Sequence, residues 1–258
     1  MSNIIYEKKG RIAYITLNRP ESLNAMTNRM KKRLGEIWFD FRDDPEVWVA
    51  IISGSGGRAF STGSDIKEFT TMEGFGQGII FQEREVIQEG YIDLYKPLIA
   101  AIDGWCVAGG FELALCCDIR IATEKSQLGL AEAKIGRIAR GGGTMRLPNQ
   151  IPFAIAMEML LTGDPVDAQR AYQVGLINQV VATSEELMPA ADKMAERILA
   201  CAPLSVSLSK EQVLRGFNLP IPTQLALLRI GKELDGSEDA AEGAKAFAEK
   251  RKPEWKNR

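Results

Sequence analysis

The run VWVAIISGSG at residues 47–56 is apolar without alternation and closes on glycines. A strand that shows one face to water alternates polar and apolar side chains, whereas a strand buried on both faces does not. The run therefore predicts a central strand of a sheet covered on both sides. RIAYITLNRP at residues 11–20 does alternate, is rich in β-branched and aromatic side chains, and is stopped by Pro20, so it reads as a second strand. Between the two, Met30, Leu34, Ile37, Trp38 and Phe41 recur at helical spacing behind Thr27 as N-cap, until Asp43-Asp44-Pro45 ends the pattern. Strand, helix, strand is a β-α-β unit, and it commits the chain to the α/β class.

The rest of the chain extends that unit. PLIAAIDGWCVAGG at residues 97–110 reads as one buried strand running into small residues, with FELALCCD a helix beginning straight after Gly110. DIRIATEKSQLGLAE holds two further short strands. The glycine-bearing stretch from Thr70 to Gly78 lacks periodicity and reads as a mobile loop, ahead of a helix ending near Tyr95. From about Pro152 the pattern is helical, through AIAMEMLLTG, DAQRAYQVGL, a long run from Glu185 to Cys201, and PLSVSLSKEQVLRG. The expectation is an α/β core packed against a C-terminal helical part.

A chain of 258 residues with 45% hydrophobic content buries an ample core without metal or disulfide support. Its net charge of -2 is spread over mixed signs, which leaves no footprint for nucleic acid or anionic lipid and favours small-molecule partners. Cys106, Cys116, Cys117 and Cys201 form no CxxC pair and read as small apolar residues in a reducing cytoplasm. The first twenty residues lack the apolar run of a signal peptide, and no stretch reaches membrane-spanning length, so neither export nor anchoring is expected.

Chemistry concentrates in VAGGFEL, residues 107–113, and in LAEAKIG, residues 130–136. A strand that ends at Ala108-Gly109-Gly110 and turns into a helix presents backbone N–H groups of the first turn to whatever lies ahead, a setting suited to an oxyanion. The glycines serve either that approach or simply close strand–helix packing. FSTGSDIKEF at residues 60–69 has the same grammar and either supplies a second donor or is an ordinary turn. Glu112 and Glu132 stand among apolar neighbours, where an unpaired carboxylate is costly to bury. Two acids in one low-dielectric pocket separate into an acid and a base. In a chain with no histidine, carboxylates are the natural proton carriers near neutral pH. The alternative is that each forms a structural ion pair.

These residues lie in motifs that run the length of the chain: ITLNRPESLNAM, RAFSTGSDIKEF, KPLIAAIDGWCVAGGFELALCCDIRIAT, AEAKIG, GGGTMRLP, AYQVGLINQVV and AFAEKRKPEW. In this order they resemble the crotonase, or enoyl-CoA hydratase/isomerase, superfamily. Within it the chain is most similar to the carnitinyl-CoA dehydratases, in FRDDPEVWVAIISG, FELAL, EMLLTG and EDAAEGAKAFAEKRKPEWKNR. The resemblance implies a spiral of ββα repeats over residues 1–200, a C-terminal helical region over 201–258 used in trimerisation, and a homotrimer or a hexamer of two trimers. It implies an enoyl-CoA hydratase or 3-hydroxyacyl-CoA dehydratase in which the N–H groups of Ser64 and Gly109 form the oxyanion hole. Glu132 would exchange the proton at the α-carbon and Glu112 would assist the water at the β-carbon. Leu23, Ala25, Arg58, Ala59 and Phe60 match segments lining the coenzyme A channel, Asp65 and Ile66 follow Ser64 in the same binding segment, and Phe247 and Lys250 match a stretch that reaches the nucleotide end. No cofactor or metal is implied, because coenzyme A arrives as part of the substrate.

One departure stands out. Where hydratases of the superfamily read Gly-Ile-Pro-Gly-X-Gly-Gly, this chain has Gly136-Arg137-Ile138-Ala139-Arg140-Gly141-Gly142. Arg140 either enters the pocket, pairing with Glu132 and lowering its pKa or binding a substrate carboxylate, or faces solvent. Beside a trimethylammonium substrate it would repel. Rival readings are an isomerase or other enolate-forming acyl-CoA enzyme of the same fold, a non-catalytic acyl-CoA-binding scaffold, and an RNA-binding protein. The last rests on the basic run from Asn28 to Arg33, which a solvated helix face also explains.

Overall fold

The computed structural model describes residues 3–70, 93–217 and 219–258. Strand β1 (Ile4–Lys9) pairs antiparallel with β2 (Ile12–Leu17), from Ile4 opposite Leu17 to Lys9 opposite Ile12. Helix α1 (Asn28–Asp43) follows, with the Thr27 hydroxyl accepting from the Met30 N–H at 3.2 Å as expected of an N-cap. The chain then repeats one unit three times. The first is β3 (Val49–Gly54), β4 (Ala59–Ser61) and α2 (Ile66–Thr70). The second is β5 (Leu98–Ile102), β6 (Trp105–Val107) and α3 (Gly109–Leu115). The third is β7 (Ile119–Thr123), β8 (Gln127–Gly129) and a 3₁₀ turn over Glu132–Ile135, followed by α4 (Gly143–Gln150).

The two strands of each unit enter different sheets. The large sheet has the order β1-β2-β3-β5-β7-β10, parallel from β2 onward, and the small one β4-β6-β8-β9, with β9 (Val166–Asp167) antiparallel at its edge. Stacking of first strands on first strands and second on second is the ββα spiral that the motifs imply. The corner inside the second unit depends on Gly104, which has φ +75° and would bring an added Cβ within 2.1 Å of the Arg58 carbonyl oxygen. PLIAAIDGWCVAGG is therefore not one strand but two, broken at Asp103-Gly104 and divided between the sheets.

The continuous apolar run of β3 has a direct cause. Ala50 and Ile52 face one core cluster, with Met30, Leu34, Trp38 and Phe41 of α1, while Val49 and Ile51 face a second. That second cluster is closed by Leu187, Ala191 and Ala195 of α7 (Ser184–Leu199). In chain order, α5 (Phe153–Thr162), α6 (Ala168–Gln173) and β10 (Gln179–Val181) fall between α4 and α7. After α7 come α8 (Pro203–Gly216), α9 (Ile221–Leu227) and α10 (Glu238–Glu249). The tail turns back on α10, where the Asp239 carboxylate accepts from the N–H groups of Lys256 and Asn257.

Three expectations need correction. Residues 93–95 are not helical, and the loop and most of the helix expected before Tyr95 lie outside the described residues. The basic run is not one solvated face: Arg29, Lys32 and Arg33 are exposed, but Lys31 is 8% exposed. Helix α3 begins at Gly109, two residues before the position expected. Among the described residues no helix is long and apolar enough to cross a membrane.

Candidate active site

Because the units stack in register, their third elements all begin along one edge of the small sheet. Ser64 precedes α2, Gly109 opens α3 and Glu132 opens the 3₁₀ turn, so three of the expected site residues occupy equivalent places in successive repeats. Neighbouring parallel strands lie about 4.8 Å apart, which brings these places within reach of one small ligand. Direct contacts confirm the alignment. A Cβ built on Gly63 would fall 2.7 Å from the Gly109 nitrogen, and one built on Gly109 would fall 3.6 Å from the Ser64 nitrogen. The Ala108 N–H donates to the Gly129 carbonyl at 2.9 Å, tying the second repeat to the third.

The two turns are held from behind. Met26 N–H donates to the Gly63 carbonyl at 2.7 Å and Asp65 N–H to the Met26 carbonyl at 2.9 Å, a bridge that leaves the Ser64 N–H out of its pairing. The Ser61 hydroxyl accepts from the Gly63 N–H at 3.2 Å and donates to the Asn24 carbonyl at 2.8 Å. Arg19 donates to Asp65 Oδ2 and holds that carboxyl below its usual pKa. At Ala108 the backbone has φ 51° and ψ -133°, a conformation that non-glycine residues seldom adopt and that marks local strain. The two glycines beside it divide the roles the sequence left open. Gly110 serves packing, since its Cβ would lie 2.3 Å from the Ser61 carbonyl oxygen, whereas Gly109 faces the 63–64 turn.

Glu112 is 5% exposed, and its Oε1 accepts from the Gly143 N–H at 2.9 Å, the first amide of α4. Gly141 packs against the same group, where an added Cβ would come within 2.6 Å of Oε2. Glu132 has a different setting. Its Oε2 is buried without a hydrogen-bond partner, and burial raises its pKa above the ordinary glutamate value. The two carboxyls thus differ in setting, one oxygen of Glu112 being held by a backbone N–H and one of Glu132 being buried without a partner. Arg140 does not lower the Glu132 pKa: the guanidinium is exposed, no ion pair joins the two, and burial is the leading cause of the shift.

The softer assignments divide. Leu23 and Ala25 are half-buried, with the Leu23 carbonyl accepting from Thr62 N–H and the Ala25 carbonyl from Arg19. Arg58 is exposed and donates to the Pro20 carbonyl, and Ile66 is exposed beside half-buried Asp65. Phe60 is 0% exposed inside the core, and the buried Ala59 gives its carbonyl to Asn24. Phe247 is 88% exposed on α10 and Lys250 caps that helix in the left-handed region. Sequence reasoning passed over Asn24 and Arg120. Asn24 binds the carbonyls of Ser55 and Ala59. Arg120, buried on β7, donates to the carbonyls of Ala114 and Cys117 at the end of α3, where a cation complements the helix dipole. A polar residue inside an apolar stretch was the available signal for both.

Comparison with known proteins agrees with this geometry. The sequence profile of the enoyl-CoA hydratase/isomerase family matches residues 7–258. The chain is 37% identical over 254 residues to (E)-benzylidenesuccinyl-CoA hydratase of Thauera aromatica, covering 98% of each chain. It is 39% identical over 262 residues to carnitinyl-CoA dehydratase of Citrobacter koseri, again covering 98% of each. Among solved structures, enoyl-CoA hydratase from Mycobacterium tuberculosis superposes with a TM-score of 0.92 at 38% identity over 99% of both chains. Enoyl-CoA hydratase from Bacillus anthracis gives a TM-score of 0.92 at 32% identity over 100% of both. A match that spans nearly the whole sequence and the whole fold places this chain in the enoyl-CoA hydratase/isomerase family.

Proposed function

We propose that the protein is a hydro-lyase that adds water across the 2,3 double bond of an acyl-CoA thioester and removes it in reverse. The observation that carries this reading is the meeting of the 63–64 and 108–109 turns at the edge where Glu132 also begins its element, with Glu112 one turn further into α3. In the hydration direction Glu112 takes a proton from water as its oxygen bonds to the β-carbon. The electron pair of the double bond moves onto the thioester oxygen, held by the peptide N–H groups of Ser64 and Gly109. Glu132 then delivers its proton to the α-carbon, a task suited to a carboxyl whose pKa burial has raised. Coenzyme A enters as part of the substrate, and this scheme requires no separate cofactor.

Incubation with crotonyl-CoA in heavy-oxygen water tests the reaction class. The expected product is 3-hydroxybutyryl-CoA carrying the label at the β-carbon. Continued exchange of the α-proton without label incorporation would replace hydration by isomerisation or another enolate chemistry.

The assembly proposed is a homotrimer or a hexamer of two trimers, built through the region after residue 200. Support comes from α8, its C-cap Phe217 and α9, where exposed Val213, Phe217, Ile221 and Leu225 line an apolar groove. An apolar surface of this kind usually meets a partner. Light scattering in solution should return three or six times the mass of one chain, and a monomer at micromolar concentration would refute the assembly.

A further inference from the structure

Lysine is among the residues least often buried, and an ammonium taken out of water costs several kcal/mol in general. Lys31 is nonetheless 8% exposed on the inner side of α1, flanked by the core residues Met30 and Leu34. Its Nζ donates to the hydroxyl of Ser64 at 2.8 Å. The contact crosses from α1 to the turn before α2, 33 residues apart in the chain, and it ends on the side chain of the residue whose backbone nitrogen lies beside Gly109.

From this geometry we infer that Lys31 is a positioning residue for the oxyanion hole, acting through the Ser64 side chain on the orientation of the Ser64 N–H. The inference rests on the hydro-lyase reading of the site. Three anchors meet at this turn: Asp65 N–H bonds to the Met26 carbonyl, the Gly63 carbonyl accepts from Met26, and Ser64 Oγ accepts from Lys31. The first two fix the peptides on either side of Ser64. Lys31 alone among them fixes the Ser64 side chain, which shares its Cα with the nitrogen in question and so adds a third restraint beside the Met26 bond to the Gly63–Ser64 peptide. A donor twisted away from the developing oxyanion loses most of its effect, because such stabilisation depends on pre-set direction.

Lys31→Met and Ser64→Ala, singly and together, test this with cinnamoyl-CoA as a binding probe. When hydrogen bonds pull electron density toward the thioester oxygen, the absorption of this conjugated thioester moves to longer wavelength. Wild-type protein is expected to bind the probe with a clear red shift. Lys31→Met should bind it with near-wild-type affinity, show a smaller shift, and lose roughly tenfold to a hundredfold in kcat for crotonyl-CoA with little change in KM. Ser64→Ala should behave alike, and the double variant should be no worse than either single one, since both remove the same contact. A full red shift and wild-type kcat in Lys31→Met, or losses that multiply in the double variant, would overturn the inference. If Lys31→Met does not fold, Ser64→Ala carries the test alone, and a wild-type shift in that variant has the same meaning. If the wild-type protein neither shifts the probe nor hydrates crotonyl-CoA, the hydro-lyase reading itself fails and takes this inference with it.

Discussion

Glu112→Gln and Glu132→Gln are each expected to lower hydration turnover by about a thousandfold, with acyl-CoA binding largely retained, because general acid–base groups contribute on that scale. Glutamine keeps the shape of the side chain and removes the proton exchange. The two variants should differ in stability. In Glu112→Gln the amide oxygen can still accept from Gly143 N–H at the start of α4, so the fold is expected to hold near wild-type stability. In Glu132→Gln a buried oxygen without a partner no longer carries charge, and at neutral pH the variant should gain about 1 kcal/mol, or ~2 °C in Tm.

The sign follows from the shift. A carboxyl whose folded pKa is raised stabilises the fold fully below its unfolded pKa and loses that contribution as pH rises through the folded value. The same shift sets the activity profile. Hydration uses Glu132 protonated and should decline as pH rises through the raised pKa, whereas dehydration uses the ionised form and should decline as pH falls through it. Rate profiles in both directions, together with thermal scans, check these expectations, and wild-type turnover in either glutamine variant would remove that residue from the mechanism.

Gly110→Ala should be the most damaging single methyl in the site. Its Cβ would sit 2.3 Å from the Ser61 carbonyl oxygen and 2.7 Å from both the Ser61 carbonyl carbon and Cβ. Neither neighbour can yield cheaply, because the Ser61 hydroxyl also holds Asn24 and Gly63. Overpacking against backbone on both sides is expected to cost about 3 kcal/mol, more than the helix gains from alanine over glycine. That is ~6 °C in Tm, with activity falling as α3 shifts away from the small sheet. Gly109→Ala is the matched control: its nearest neighbour would be the Gly63 Cα at 3.4 Å, an ordinary contact, and its Tm should stay within a few degrees of wild type. Equal melting temperatures for the two variants would show that the Gly110 contact is not what sets the strand–helix distance.

Much of this site could be read from the chain because its chemistry depends on local grammar. A strand ending in glycine before a helix, and acids among apolar neighbours, are visible without coordinates. Thr27 as a cap and the doubly buried β3 were legible for the same reason. The failures involve tertiary context. IIYEKK pairs as an edge strand although four of its six side chains are exposed, so its period-2 signal is masked by charge. Helix α4 begins among glycines and contains Pro148, which hides it from propensity. Lys31 lies in a run of charged residues and only the packing of α1 shows that it points inward. Arg140 lies outside the regular elements, and its relation to Glu132 depends on the direction of a side chain, which no local pattern fixes.

The backbone at Ala108 bears on how such an enzyme can be hardened against heat. Its ψ sets the plane of the peptide that carries the Gly109 nitrogen, so the distortion resides in the bond that orients the N–H proposed for the oxyanion hole. Glycine there would relax the chain by about 1 kcal/mol and free the plane to swing. Selection for thermal robustness alone would therefore favour a sturdier protein with a blunter tool, and libraries screened by melting point should leave this alanine untouched.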